Sequence, residues 1–244
     1  MTPLWIALQF LTRLPVRLSG MPTPEQTGRS LLWYPLVGAL IGLLLVIAQL
    51  LLAGTSELLQ AALLLTLWVA LSGGLHLDGL ADSADAWVGG FGDRERTLTI
   101  MKDPRSGPIA VVTVVLLLLL KFTALVVLLQ AGEGALLVLA PWLGRGLLPL
   151  LFRCTPYVRS GGLGQALAEH MPRRQLPWVL ALHAGGLLLV GGAAGGLGLL
   201  VALLVLLWLR HLMCQRLGGT TGDTAGALVE VAECAVLVAL AISH

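Results

Sequence analysis

Three aspartates at offsets of four and then three residues, Asp78, Asp82 and Asp85, fall on one face of any helix that carries them. They belong to the stretch from Gly73 to Pro108, GGLHLDGLADSADAWVGGFGDRERTLTIMKDPRSGP. It also holds Asp93, Glu95 and Asp103, and so six of the thirteen acidic residues of a chain that is only 11% charged. Stacked carboxylates repel one another, and no basic residue stands one turn away to relieve them. A divalent cation would. Donors that are all oxygen point to Mg²⁺, which takes one or two protein carboxylates and fills its other positions with water and substrate phosphates. One of the three aspartates could instead accept the proton of an attacking hydroxyl.

A second acidic group lies in GGTTGDTAGALVEVAE, Gly218 to Glu233. On a helix Asp223 and Glu230 share a face about two turns apart, and Glu233 follows one turn later. Ionisable groups at the start of an apolar span are costly and mark a functional site. A helix cap would account for Asp223 but not for Glu230. The expectation is that Asp78, Asp82 and Asp85 meet Asp223 and Glu230 around one or two Mg²⁺ ions. Lys102, Arg105 and Arg159 are the cations suited to hold phosphates, with Asp103 placed to orient its neighbours. Topology or contact with anionic lipid would also explain these cations. His76 reads as a ligand, a base or a hydrogen-bonded helix-end residue. Asp93, Arg94, Glu95 and Arg96 read as a surface ion-pair cluster.

The elements that must position these groups are membrane helices. The 244-residue chain is 57% hydrophobic, and its mean hydropathy of +0.91 excludes an ordinary soluble domain. Apolar runs at Leu36–Ala53, Leu58–Leu75, Ile109–Leu129, Gly134–Leu151, Val179–Val190, Gly195–Leu209 and Thr224–Ile242 approach the ~20 residues of a spanning helix. The fifth and sixth are split at GGAAGG because the combined run is too long for one crossing. The fold expected is an all-α polytopic bundle of about seven helices, a single integral membrane domain over residues 1–244.

Thirteen of the fifteen basic residues fall in alternate loops: Arg13, Arg17 and Arg29; Arg94, Arg96, Lys102 and Arg105; Arg153, Arg159, Arg173 and Arg174; Arg210 and Arg216. The positive-inside rule turns these segments, and every cluster above, toward the cytoplasm. The opposite loops, GTSE and QAGE, are stubs. Lys121 and Arg145 are the exceptions. Lys121, near the middle of the third span, calls for an acidic partner, either in the carboxylate cluster or elsewhere in the bundle. Arg145, in PWLGRG, is expected where Pro and Gly break the fourth helix. The N-terminal MTPLWIALQFLTRLP lacks a basic start and reads as a short interfacial helix. Three scattered cysteines suggest neither disulfides nor zinc.

The motifs GGLHLDGLADSAD, DRERTLTIMKDPRSG and LGGTTGDTAGALVEVAE resemble those of the cobalamin synthase family, the membrane adenosylcobinamide-GDP ribazoletransferases. The likeness extends to FLTRLPV at Phe10–Val16, RSLLWYPLVG at Arg29–Gly38 and YVRSGGLG at Tyr157–Gly164, and so covers the chain from end to end. The chain departs from the family where K/R-D-S-R-x-G-T is usual: Pro104 and Pro108 replace two hydroxyl residues, which stiffens the loop and removes donors. The resemblance implies a bacterial inner-membrane enzyme that uses Mg²⁺. It would join adenosylcobinamide-GDP to α-ribazole or α-ribazole 5′-phosphate, releasing GMP, with membrane lipid around it and no nucleic acid partner. Two other readings stand beside it. Another Mg²⁺-dependent membrane transferase acting on diphosphates would differ in motif spacing. A cation-coupled transporter would put its acids near the midplane and expose function on both sides.

Overall fold

The computed structural model describes residues 2–18, 20–161 and 163–243. These residues form α1 (Thr2–Leu11), α2 (Pro24–Ser30), α3 (Tyr34–Leu51), α4 (Glu57–Ser72), α5 (Leu75–Gly89), α6 (Arg94–Ile100), α7 (Pro108–Gln130), α8 (Leu139–Cys154), α9 (Leu163–Glu169), α10 (Leu176–Leu217) and α11 (Gly222–Ile242). Among them there is no strand beyond one isolated bridge between Tyr157 and Thr220.

Five helical stretches are long and apolar enough to cross a membrane: 24–51, α7, 134–154, α10 and α11. A sixth is α4 taken with α5, the two bent by 87° where Gly73 and Gly74 both adopt positive φ. The 42-residue α10 is itself two arms, because Gly192 breaks it with φ 53° and ψ −127°. A Cβ on Gly195 would lie 2.3 Å from the carbonyl oxygen of Leu187. In a straight helix those residues would be about 12 Å apart, so the chain doubles back. With α10 counted as two arms, the described residues give seven candidate membrane segments, in line with the hydropathy pattern, with the hairpin inside the expected GGAAGG.

Helices α8 and α11 are the most buried, and α7 and α10 turn most of their apolar side chains outward, among them Val111, Leu119, Leu189 and Trp208. In lipid, packing rather than hydrophobic exclusion holds helices together, which favours small residues at contacts. Gly38 and Gly42, one turn apart on α3, sit directly on the backbone of α8 at Pro141 and of the preceding turn at Val138. The helix α1 buries Ile6, Ala7, Leu8 and Leu11 against the bundle. Contrary to expectation, α8 runs unbroken through Gly144, Arg145 and Gly146, so Arg145 lies within a continuous helix and is fully buried.

The basic loops meet at one end of the bundle. Arg94 Nε donates to the Leu217 carbonyl at 2.8 Å, Arg216 Nη2 to that of Trp87 at 2.6 Å, and Arg210 Nη2 to that of Cys154 at 2.8 Å. Each contact joins segments more than fifty residues apart in sequence.

Candidate active site

At that end α5 lies across the start of α11. The contact is backbone to backbone: a Cβ on Gly79 would meet the Asp223 carbonyl oxygen at 2.7 Å, and one on Gly226 would meet the His76 Cα at 3.3 Å. Thr221 caps α11, its hydroxyl accepting from Thr224 N while the Thr224 side chain accepts from Thr221 N. Asp223, in the first turn of that helix rather than at its cap, is thereby presented toward α5. Asp78 and Asp82 arrive one turn apart on α5.

These groups border a cavity of about 580 Å³ lined on its polar side by Asp78, Lys102, Arg159, Ser160 and Asp223, and elsewhere by Phe10, Tyr34, Leu148, Phe152, Tyr157 and Leu167. Arg159 Nη1 pairs with Asp223 at 2.7 Å. Among the described residues neither Asp78 nor Asp82 has a hydrogen-bonded or ionic partner for its carboxylate, whereas Asp85 and Asp223 do. Asp82, half-buried one turn further along α5, sits in the field of Asp78 and Asp223, with Arg159 of opposite sign nearby.

Asp85 belongs to the same helical face but has a different task. Its carboxylate accepts from Gly107 N and, at 2.9 Å, from Ala110 N. The helix α7 has no side-chain cap of its own, and Pro108 at its first position has no N–H to offer. Asp85 therefore caps α7 from a neighbouring element, and both its oxygens are engaged.

Glu230, expected beside Asp223 at a metal, is not carried into the site. It is buried and accepts from Lys121 Nζ at 2.6 Å; Lys121 also donates to Glu233 at 2.6 Å, and Glu233 pairs with the fully buried Arg145. Lys121 stacks on the Trp68 ring at 4.8 Å, about 20 Å along α7 from its start. Two cations and two anions thus cancel deep in the bundle, where an unbalanced charge would be prohibitive. His76, also buried, lines the cavity on the side of this network, its Nδ1 3.5 Å from Arg145 Nη2. Sequence reasoning saw each of these charges but not their closure, and Glu233 at the end of the motif was the available signal.

The loop cations divide. Lys102 and Arg159 line the cavity, but Arg105 points outward, its side chain 87% exposed, in a two-pronged pair with Asp103. Hydrogen bonds from Arg105 hold the Asp103 carboxyl down at about 2. Asp103 does orient a cation, though one turned away from the pocket. Asp93 caps α6 by accepting from Arg96 N at 2.7 Å, and Arg94 pairs with Glu95, as a surface cluster would.

The residues present fit a hard divalent cation of the kind that borrows most of its ligands from water and substrate. Asp78 and Asp223 face the same cavity, Asp82 stands behind them, and the excess negative charge has no protein counter-ion. Among the described residues no three His, Cys, Asp or Glu side chains are grouped closely enough to hold a metal ion by themselves, so a cation here would need ligands from water and substrate.

Residues 3–241 match the protein family described as cobalamin-5-phosphate synthase. The chain is 72% identical to an adenosylcobinamide-GDP ribazoletransferase of Ectopseudomonas mendocina over 98% of both chains. It is 71% identical to that of Pseudomonas aeruginosa PAO1, over 98% of this chain and 97% of the other. With the Pseudomonas putida KT2440 protein it shares 68% over 99% of each. No solved structure matches.

Proposed function

The chain belongs to the cobalamin-5-phosphate synthase family, and from that premise we propose that it acts as an adenosylcobinamide-GDP ribazoletransferase whose chemistry takes place at the cavity between α5 and α11. A ribose hydroxyl of α-ribazole, or of its 5′-phosphate, attacks the phosphorus joined to cobinamide. A new P–O bond forms, the P–O bond to GMP breaks, the hydroxyl proton is released, and adenosylcobalamin or its 5′-phosphate results.

Displacement at a diphosphate needs its charge neutralised and the entering and leaving oxygens held in line. Lys102 and Arg159 lie on the cavity wall where they can grip phosphate oxygens, Arg159 in two-pronged fashion once it turns from Asp223. Asp82, whose carboxylate has no hydrogen-bonded or ionic partner among the described residues, would receive the proton of the attacking hydroxyl. Asp78 and Asp223 would hold Mg²⁺, which when bound supplies charge neutralisation at the diphosphate and the departing oxygen. By the charge asymmetry of the loops, this end faces the cytoplasm, with the protein in the bacterial inner membrane.

The observation that carries this reading is the meeting of Asp78 and Asp82 with Asp223, far apart in the chain, at a cavity that Lys102 and Arg159 also line. The test is GMP release by the purified protein in nanodiscs given adenosylcobinamide-GDP and α-ribazole. Release that requires α-ribazole and Mg²⁺, and is abolished in a membrane-inserted Asp82→Asn variant, is expected. Folded protein that releases no GMP, or an Asp82→Asn variant with near-normal turnover, overturns it.

A further inference from the structure

The cavity has two chemically distinct walls contributed by different elements. Asp78, Lys102, Arg159 and Asp223 come from α5, α11 and the loops; Phe10, Tyr34, Leu148 and Phe152 come from α1, α3 and α8. The charged wall is used by the transfer reaction, but the aromatic wall has no role in handling phosphate.

One atom on that wall stands out. Tyr34 is 1% exposed, its ring stacks on Phe10 with centroids 6.2 Å apart, and among the described residues its Oη has no hydrogen-bond partner, the neighbouring Ser30 hydroxyl donating to the Thr27 carbonyl at 2.6 Å instead. A buried hydroxyl left unmet is costly, and here it belongs to a residue lining an apolar cavity with a charged mouth. The arrangement suits a flat, largely apolar ring that carries a single acceptor, attached to a polar group that reaches the carboxylates.

We propose that this aromatic wall is the acceptor subsite, where the alkylated benzimidazole of α-ribazole packs between Phe10, Tyr34, Leu148 and Phe152 while Tyr34 Oη donates to the ring nitrogen that is not bonded to ribose. The proposal rests on the transferase reading above. Of the aromatic parts of the two substrates, guanine fits poorly, because its edge carries several donors and acceptors that this wall cannot satisfy. A corrin with its amide arms and adenosyl group is too large for about 580 Å³, a size that suits a drug-sized ligand. The benzimidazole is the right shape, and its two methyl groups gain from an apolar lining. With the base seated there, the ribose lies between the two walls and offers its hydroxyl to the carboxylates. The corrinoid then remains outside, delivering only its diphosphate.

The test separates binding from turnover. Calorimetric titration of the full-length protein in nanodiscs with α-ribazole alone, without corrinoid, measures the subsite directly. Tyr34→Phe keeps the ring and removes only the hydroxyl, and should weaken α-ribazole binding and raise its KM about three- to tenfold, with the KM for adenosylcobinamide-GDP unchanged. Removing both methyls from the base should cost roughly fourfold per methyl in the wild type, and guanosine should not compete. The subsite falls if GMP is released normally yet Tyr34→Phe leaves α-ribazole affinity within twofold of wild type, if its effect appears on the corrinoid KM instead, or if guanosine competes. If α-ribazole binds as described but no GMP is released, the reaction assignment falls and the subsite stands.

Discussion

A Cβ placed on Gly79 would lie 2.7 Å from the backbone carbonyl oxygen of Asp223. No real side chain tolerates that distance, so this glycine lets α5 rest on the start of α11 and brings Asp78 and Asp82 to Asp223. Gly79→Ala should push the helices apart by a fraction of an ångström, and because transfer depends on fine placement, kcat/KM for GMP release should fall on the order of a hundredfold. Gly79→Leu should abolish it. Gly185, whose Cβ would meet nothing within 4 Å, provides the control: Gly185→Ala should turn over normally. Equal activity in Gly79→Ala and wild type would show that the two helices need not touch.

The buried network predicts a different pattern. Lys121 lies 2.6 Å from both Glu230 and Glu233, and Lys121→Met would strand buried negative charge, costing about 3–5 kcal/mol of stability. Adding Glu230→Gln to that variant should recover part of the loss by restoring neutrality. Thermal unfolding in detergent measures both. In whatever folded Glu230→Gln protein remains, the Mg²⁺ concentration for half-maximal GMP release should match wild type. A large shift in that concentration would return Glu230 to the metal site.

Much of the architecture was legible in the chain. Apolar runs of membrane-crossing length, the alternation of basic loops and the i, i+4, i+7 register of Asp78, Asp82 and Asp85 are local properties, set by helix geometry and by the cost of charge in lipid. The break between two spans at GGAAGG was visible for the same reason, since a positive φ at Gly192 is a matter of one residue's sterics. The family resemblance rested on motifs of this local kind.

Which carboxylate does what was a different matter, because partners supplied by distant elements decide it. Asp85 shares a helical face with Asp78 and Asp82 yet is spent on the open N-terminus of α7, a need that arises only once α5 ends beside Gly107. Glu230 shares a face with Asp223, but two turns deeper it meets Lys121 of α7, and at that depth neutrality outweighs every other use of its charge. Arg105 and Arg159 are alike in sequence, and only the folded loops turn one outward and the other onto the cavity. Helical periodicity dictates which side chains share a face; what that face meets depends on long-range packing, and in a low-dielectric interior the nearest opposite charge or unmet N–H then claims each acid.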